Sequence, residues 1–453
     1  MSTRADAITQ RLNRQTRSRR ARFTARGDVP FGGDLRVRSY RLGNGLDVHL
    51  LVDPAAPVVS YQSWYRVGSR HEKKGKTGLA HFFEHLMFKE TKNHQAGDFD
   101  RLFEAAGGET NAATWTDWTY YYDNVPAREL ELAVHLEADR MQNLVLRAPA
   151  VASEKEVVVS ERRYRVEDDI EGKANEVLYS RAFAKHPYHW PTIGWMEDIE
   201  GYTVKDCRAF YGTYYAPNNA TVVVAGDLDE HDTLGLIREH YGKMSAARIP
   251  KERRVVEPPQ RRERRVTLRQ PTDTEKLSIG WRGPAWGDRE YVVLTVLNEV
   301  LTGGRSSRFF RALVSEGEVA TTMHASPAPF AHPGLFEFWA DARPGQTAKG
   351  LLAIVDREIA EVKAHGITPV ELEKAHNRLE LGFLSTMETA SGKAEQLGFV
   401  ATVVDDVSIV FDRLEAFRSV TREEVQAFAR KLFKASQRTV LFVLPQDTQV
   451  AAS

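Results

Sequence analysis

Residues 78–88 read GLAHFFEHLMF and contain the pattern H-x-x-E-H. If this stretch is helical, offsets of three and four residues place His81, Glu84 and His85 on one face of the helix. Two neutral imidazoles one turn apart can hold one zinc ion, and a glutamate on the same face can activate a water molecule beside it. The pattern therefore predicts a catalytic zinc site.

The alternative interpretation is an exposed helix that carries two histidines and a glutamate by coincidence. The apolar surroundings of the motif argue against it. They comprise Leu79, Phe82, Phe83, Leu86, Met87 and Phe88. Polar groups inside such a helix need partners, because burying one without a partner costs roughly 2–7 kcal/mol. The order H-x-x-E-H also reverses the H-E-x-x-H of many zinc-binding helices and is a signature in its own right.

Length and composition limit the other possibilities. The chain has 453 residues, which predicts two or more domains, and it carries 62 basic and 62 acidic side chains. A formal net charge of zero gives no support to a nucleic-acid or membrane-surface role. The single cysteine, Cys207, excludes an internal disulfide and a cysteine-rich metal site, so any zinc ligands must be histidines and carboxylates.

The N-terminal segment, residues 1–34, is basic. Its first 26 residues contain eight arginines, one acidic residue and no apolar run, which is not the pattern of a secretory signal peptide. The composition has some likeness to a transit peptide, but we interpret the segment as a flexible basic arm. A chain that begins after a removed signal looks the same. No run of 18 apolar residues occurs, so we expect no membrane span.

Strand and helix patterns alternate after this arm. Predicted strands cover 39–50 (a hairpin joined at Asn44-Gly45), 58–67, 110–115, 119–125 and 219–224, and predicted helices cover 99–106, 130–146, 152–183 and 203–211. This order predicts a domain from 35 to 244.

The second half of the chain repeats the order of the first. Residues 245–265 mix prolines with basic residues and predict an exposed linker, followed by a domain from 266 to 453. In that domain the segment aligned with the motif, 294–300, has no histidine. We therefore predict an α+β protein with two homologous domains, each a mainly antiparallel sheet flanked by helices, of which only the first holds metal.

A catalytic zinc site needs a third protein ligand. Glu161 is the best candidate, since it follows His85 by 76 positions and ends the segment SEKEVVVSE on a predicted helix. Glu154, two turns earlier on the same face, is placed to orient a ligand. The alternative for both is a solvated acidic face. Glu84 can take a proton from water and pass it to a leaving amine, which is the chemistry of peptide-bond hydrolysis.

At this point the chain resembles the pitrilysin-like zinc metallopeptidases, the inverzincins. The resemblance extends from about residue 40 to residue 445. It rests on residues 78–85, 107–114, 154–161, 186–188 and 215–219.

The resemblance implies a role for each candidate residue. It assigns the two motif histidines and Glu161 to one zinc ion per chain, and Glu84 to the general base. It also implies that a peptide substrate binds as an added strand beside Asn111 and Ala112, a mode that reads backbone more than side chains. The homologous domains of the family together form half of a clam-like chamber.

One departure from the family pattern concerns the C-terminal domain. Active single-chain members carry an Arg and a Tyr seven residues apart there, whereas this chain has Val314 and Thr321 after the retained GGRSSR at 303–308. Loss of one oxyanion donor typically lowers the rate about 100- to 1000-fold. We therefore predict a heterodimer, in which a homologous metal-free subunit supplies the Arg and Tyr.

Two other functions stay open on the sequence alone. One is the catalytic subunit of a mitochondrial-type presequence processing peptidase, to which the basic arm gives slight support. The other is a non-catalytic scaffold subunit, although such relatives usually have eroded metal motifs. For location we predict the bacterial periplasm, with the cytoplasm and the mitochondrial matrix as alternatives.

Overall fold

The structure, a computed structural model, describes residues 4–252 and 255–446. Residues 1–3, 253–254 and 447–453, which belong to the predicted arm, linker and C-terminal domain, lie outside the described residues. The strands are β1 (Phe23–Pro30), β2 (Arg36–Leu42), β3 (Asp47–Val52), β4 (Val58–Tyr65), β5 (Glu109–Thr114), β6 (Thr119–Pro126), β7 (Ala220–Gly226), β8 (Arg264–Gln270), β9 (Lys276–Arg282), β10 (Ala320–Pro327), β11 (Leu335–Ala342) and β12 (Arg438–Pro445).

The helices surround these strands. They are α1 (Arg4–Asn13), α2 (Leu79–Leu86), α3 (Asp98–Ala105), α4 (Leu130–Asn143), α5 (Ala148–Arg162), α6 (Ile170–Ala182), α7 (Met196–Glu200), α8 (Val204–Tyr214), α9 (Glu230–Tyr241), α10 (Arg289–Thr302), α11 (Arg308–Phe310), α12 (Ala348–His365), α13 (Pro369–Thr386), α14 (Ala390–Val403), α15 (Ile409–Arg418) and α16 (Arg422–Leu432). Across the described ranges, we find no helix with both the length and the apolar character needed to cross a bilayer.

The first sheet has seven strands in the order β1-β2-β3-β7-β4-β6-β5. Its neighbours pair antiparallel except β3 and β7, which are parallel. The sequence of β7, ATVVVAG, is buried at every residue, as expected for a strand covered on both faces. β5 lies at one edge of the sheet, which leaves its outer backbone groups open to a further strand.

The second sheet has five strands in the order β10-β11-β9-β12-β8, with β12 and β8 parallel and the other pairs antiparallel. This arrangement repeats β5-β6-β4-β7-β3 of the first sheet strand for strand. Helix α10 lies between β9 and β10 in the chain, as α2 lies between β4 and β5. The predicted fold of two related α+β halves, each with a mainly antiparallel sheet and flanking helices, is therefore confirmed.

The chain forms two compact units, and each unit contains segments from both halves of the sequence, so the two halves exchange segments. The first unit comprises residues 1–160, 191–254 and 384–412, and the remainder forms the second. This division differs from the contiguous ranges 35–244 and 266–453 expected from the sequence. The reason is packing: α14 lies against β4 and β7 of the first sheet, and α6 lies against β8, β9 and β12 of the second.

The N-terminal residues also differ from the flexible arm expected from their composition. Residues 4–13 form α1, and β1 pairs with β2 along its length. Leu12 and Phe23 are buried, and the Asn13 side chain hydrogen bonds to both the backbone N–H and the carbonyl of Phe23. A few apolar residues anchor this segment, and the many arginines around them conceal that pattern in the sequence.

Candidate metal centre

The start of the motif helix α2 is fixed by two contacts. Gly78 precedes the helix with φ of +89°, and a Cβ there would lie 2.3 Å from the carbonyl oxygen of Ile193. The carboxylate of Glu72 accepts hydrogen bonds of 2.7 Å from the backbone N–H groups of Gly78 and Ala80. Burial raises the pKa of Glu72 well above its usual range, and the two N–H donors oppose that rise. The helix therefore begins at a defined position and orientation.

The apolar face of α2 is anchored in an aromatic cluster. Phe83 is fully buried, and its ring lies 5.2 Å from that of Phe210. Its carbonyl accepts a 3.0 Å hydrogen bond from the Tyr121 hydroxyl. On the other face the side chains of the three motif residues are only half-buried. The aromatic packing thus orients the polar face of the helix away from the core.

Three side chains with metal-binding atoms converge beside this face. His81, His85 and Glu161 each offer a ligand atom, and these atoms all lie within 4.8 Å of one another. The two imidazole centroids are 4.9 Å apart. Glu161 lies in the last turn of α5, a helix whose residues up to 160 belong to the first unit, and it forms a 2.9 Å ion pair with Arg165.

The helix changes its geometry just after Glu161. Residues Arg163–Glu167 form a π-helical turn before α6 begins. Such turns are rare and often occur at functional sites. The sequence predicts one helical segment over 152–183, and this break replaces it with two helices.

Glu154 fixes the orientation of one candidate ligand. It is 4% exposed, its carboxylate lies 3.0 Å from His85 Nδ1, and it forms a 2.6 Å ion pair with Lys89. Burial alone raises the pKa of Glu154, but the bonds from His85 and Lys89 outweigh burial and hold this pKa below its usual value. An ionised carboxylate can only accept, so Nδ1 donates and Nε2 keeps the lone pair that a metal requires.

The donor set fits a zinc ion. Two imidazoles and one carboxylate are the ligands of one common class of catalytic zinc sites, and the converging donor atoms lie on helices α2 and α5. A zinc ion held by His81, His85 and Glu161 would supply a Lewis acid able to polarise a carbonyl group. Glu84 lies one turn from His81 on α2, so its carboxylate is on the same helix face as the two histidines.

The edge strand β5 lies beside the motif helix, since α2 packs on both β5 and β6. Asn111 is exposed on it, and its side-chain Oδ1 accepts a 2.8 Å hydrogen bond from the N–H of Ala112. The Ala112 N–H therefore bonds to a side chain of its own strand. β5 is the edge strand of its sheet, which is the position that a peptide needs in order to add as a further strand.

Comparison with known proteins also points to a peptidase. A family model described as Insulinase (Peptidase family M16) matches residues 48–194, and one described as Peptidase M16 inactive domain matches residues 201–379. The zinc protease PqqE of Helicobacter pylori is 30% identical over 434 residues, which cover 92% of this chain and 96% of that protein. The chain belongs to the M16 peptidase family.

Two solved structures of proteases share the fold of this M16 chain. The crystal structure of a protease from Helicobacter pylori matches with a TM-score of 0.87 and 30% identity, covering 91% of this chain and all of that one. The periplasmic protease PqqL from Escherichia coli matches with a TM-score of 0.74 and 19% identity, covering 92% of this chain but 48% of PqqL. In PqqL this fold therefore occupies about half of the chain.

Val314 and Thr321 of this M16 chain occupy the two positions at which active single-chain relatives are expected to carry an Arg and a Tyr. Val314 lies in a π-helical turn, Arg311–Ser315, and Thr321 is the second residue of β10. Sequence reasoning missed Lys89, which pairs with Glu154, and Glu72, which caps α2. The spacing of Lys89, four residues after His85, was the available signal for the first.

Proposed function

We propose that this M16 peptidase is the zinc-bearing subunit of a two-chain endopeptidase that hydrolyses peptides or unfolded segments. The convergence of His81, His85 and Glu161 is the observation that carries the proposal. These three residues would hold one zinc ion per chain. Glu84 would accept a proton from the attacking water and later donate it to the leaving amine.

The rest of the site supports this division of roles. Glu154 holds His85 in the tautomer that ligates through Nε2, and the aromatic packing of α2 holds both motif histidines on one face. The open edge at Asn111 and Ala112 would align the peptide backbone of the substrate. Because backbone groups are read along such an edge, we expect broad sequence tolerance.

The need for a partner rests on Val314 and Thr321. Val314 has no hydrogen-bond donor, and Thr321 has only a neutral hydroxyl. Neither side chain can therefore stabilise developing negative charge as an Arg and a Tyr would. The match to half of PqqL supports a pairing of two such folds, since that protein carries the length of two. A homologous metal-free subunit carrying the Arg and Tyr is the partner that this proposal requires.

The test is an activity assay of this chain alone, of its metal-free relative alone, and of the two mixed. We expect hydrolysis of a generic unfolded peptide only in the mixture. Full activity of this chain alone contradicts the partner requirement. Full zinc occupancy in His81→Ala, measured by elemental analysis, contradicts the ligand assignment, and the two failures are separable because one concerns activity and the other metal content.

The alternative functions are less well supported. The basic arm gave presequence processing slight support, and the described part of that arm is folded into α1 and β1. A scaffold role does not require His81, Glu84, His85 and Glu161 to be retained and gathered. For location our proposal stays the bacterial periplasm, which fractionation of the native cells would test.

A further inference from the structure

Three histidines outside the candidate zinc site lie side by side in the first unit. His94 lies in the loop between α2 and α3, His135 lies on α4, and His240 lies on α9. The His94 and His135 rings are 5.5 Å apart and the His135 and His240 rings are 5.2 Å apart, with neighbouring planes inclined by 74° and 67°. Three separate elements therefore each contribute one imidazole to a single cluster.

The spacing of the nitrogen atoms is that of metal ligands. The Nε2 atoms of His94 and His135 are 3.3 Å apart. Two nitrogens that each lie about 2.0–2.1 Å from a tetrahedral metal ion are separated by about 3.3–3.4 Å. The His240 ring lies 5.2 Å from that of His135, and its side chain would have to turn towards the other two rings to complete the site. All three imidazoles are half-buried, so the cluster is sheltered from bulk water but accessible to a small ion.

The loop that carries His94 is held against α4 at the level of His135. Asp139, one turn after His135, accepts hydrogen bonds from the side chains of Thr91 and Asn93. It also accepts one of 2.7 Å from Asn143. These bonds fix the loop before any ligand binds, so the entropy cost of assembling the cluster is largely met by folding.

Burial favours neutral imidazoles in the cluster, whereas the nearby carboxylates favour a cation. Burial, followed by the neighbouring His135, lowers the pKa of His240, which keeps this ring in the neutral form that binds metals. Glu131, one turn before His135, and Glu239, next to His240, act on the same ring with their negative charge. They provide carboxylates close to the imidazoles without occupying the cluster.

We propose that His94, His135 and His240 bind a second transition-metal ion, of the class that prefers imidazole ligands, in addition to the ion at the motif helix. This ion would join the loop before α3 to helices α4 and α9. Its role would be structural, since it would tie together three separate elements of the first unit. A simple N–H···N hydrogen bond between His94 and His135 would give the same 3.3 Å distance, and the experiment below separates the two.

The test uses the full chain and Zn²⁺ as the probe, with bound zinc counted by elemental analysis after dialysis. We expect two zinc ions in the wild type, one in His135→Ala, one in His81→Ala and none in the double variant. His365→Ala removes an exposed imidazole that pairs with Glu361 on the surface of α12, and it should leave the count at two. Zinc is expected to be lost from the two sites independently. A wrong ligand assignment at the motif helix would therefore not hide the loss of zinc from the histidine cluster.

Thermal denaturation provides the second readout. In the His81→Ala background, zinc should raise the melting temperature by a few degrees, because an ion that binds only the folded chain stabilises it. The rise should vanish when His94→Ala is added, a loop substitution that leaves both helices intact. One zinc ion in the wild type, with an unchanged count in His135→Ala and His94→Ala, overturns the proposal.

Discussion

At the scale of single residues, Glu154 shows how one buried carboxylate prepares a ligand. It accepts from His85 Nδ1 and is paired with Lys89, so the ring cannot turn without breaking a buried, charge-assisted bond. We expect Glu154→Gln to weaken zinc affinity about 10- to 100-fold, as removal of such supporting groups does at other zinc sites. Competition with a chelator measures this.

The matched control for that substitution is Glu156→Gln. Glu156 is exposed on the same helix, α5, so its change removes a carboxylate without touching the site. Its zinc affinity should equal that of the wild type. Equal affinities in both variants would show that Glu154 does not support His85.

Glu84 separates chemistry from metal binding. Glu84→Gln keeps the size of the side chain but cannot accept a proton, so we expect the rate of the reconstituted enzyme to fall about 100- to 10,000-fold. Zinc content should stay at the wild-type level, because the three candidate ligands are unchanged. A variant with wild-type turnover would remove Glu84 from the mechanism.

At the scale of secondary-structure elements, the entry to α2 is set by Gly78. An alanine there has the strained positive φ and also meets the carbonyl oxygen of Ile193. Gly97 precedes α3 with nearly the same φ, +87°, but a Cβ there has no neighbour within 4 Å. We expect Gly97→Ala to cost about 1 kcal/mol and Gly78→Ala clearly more, with loss of zinc only in the latter. Urea denaturation and metal analysis compare them, and equal losses would argue against the contact with Ile193.

His49, on strand β3, should make the free energy of unfolding depend on pH. Burial, and then the nearby Arg66 and Arg41, lower the pKa of this imidazole to about 4, against the opposing effect of Asp47. The unfolded chain, with a histidine pKa of about 6.5, therefore binds more protons between pH 4 and 6.5. The free energy of unfolding should fall by about 2 kcal/mol as the pH drops through that window.

His49→Gln is the variant that tests this dependence. It retains a polar group able to bond with the Ser39 hydroxyl, which lies 2.8 Å from His49 Nδ1, but does not titrate. Between pH 4 and 6.5 its unfolding free energy should change less than that of the wild type. Parallel pH curves for the two proteins would assign the dependence to other groups.

Most elements follow from local patterns in the sequence. The Asn44-Gly45 turn joins β2 and β3 as expected, and the run at 219–224 is the buried strand β7. The motif helix and Glu161 also come together, as the family resemblance implied. The folded N-terminus was not predictable in this way, since β1 is held by pairing with β2 and only a few apolar anchors mark it.

At the scale of the whole molecule, the exchange of segments is the feature that sequence reasoning could not supply. Trp64 on β4 lies so close to Gly398 on α14 that a Cβ there would be 2.0 Å from its indole nitrogen. Lys393 on α14 also pairs with Asp53 after β3. Such contacts join residues more than 300 positions apart, and no local pattern specifies them. Periodicity identifies each helix but not the sheet that it covers.

This exchange predicts the outcome of a truncation. A fragment of residues 1–254 contains the seven strands of the first sheet but lacks 384–412, so the face that α14 covers would be exposed. We expect the fragment to lose the cooperative thermal transition of the full chain, because a bare apolar sheet face favours association. Calorimetry and light scattering measure both effects. A monomeric fragment that melts like the full chain would contradict the importance of α14.

The same exchange sets an order of events during synthesis. The last strand of the first sheet, β7, ends at residue 226, but α14 follows only at residues 390–403. At about 5–20 residues per second, the ribosome needs on the order of ten seconds or more to deliver that helix. The motif helix therefore rests on an incompletely covered sheet until residue 403 has emerged. A nascent chain that has not yet reached residue 403 would thus carry the motif helix on a sheet that lacks its α14 cover.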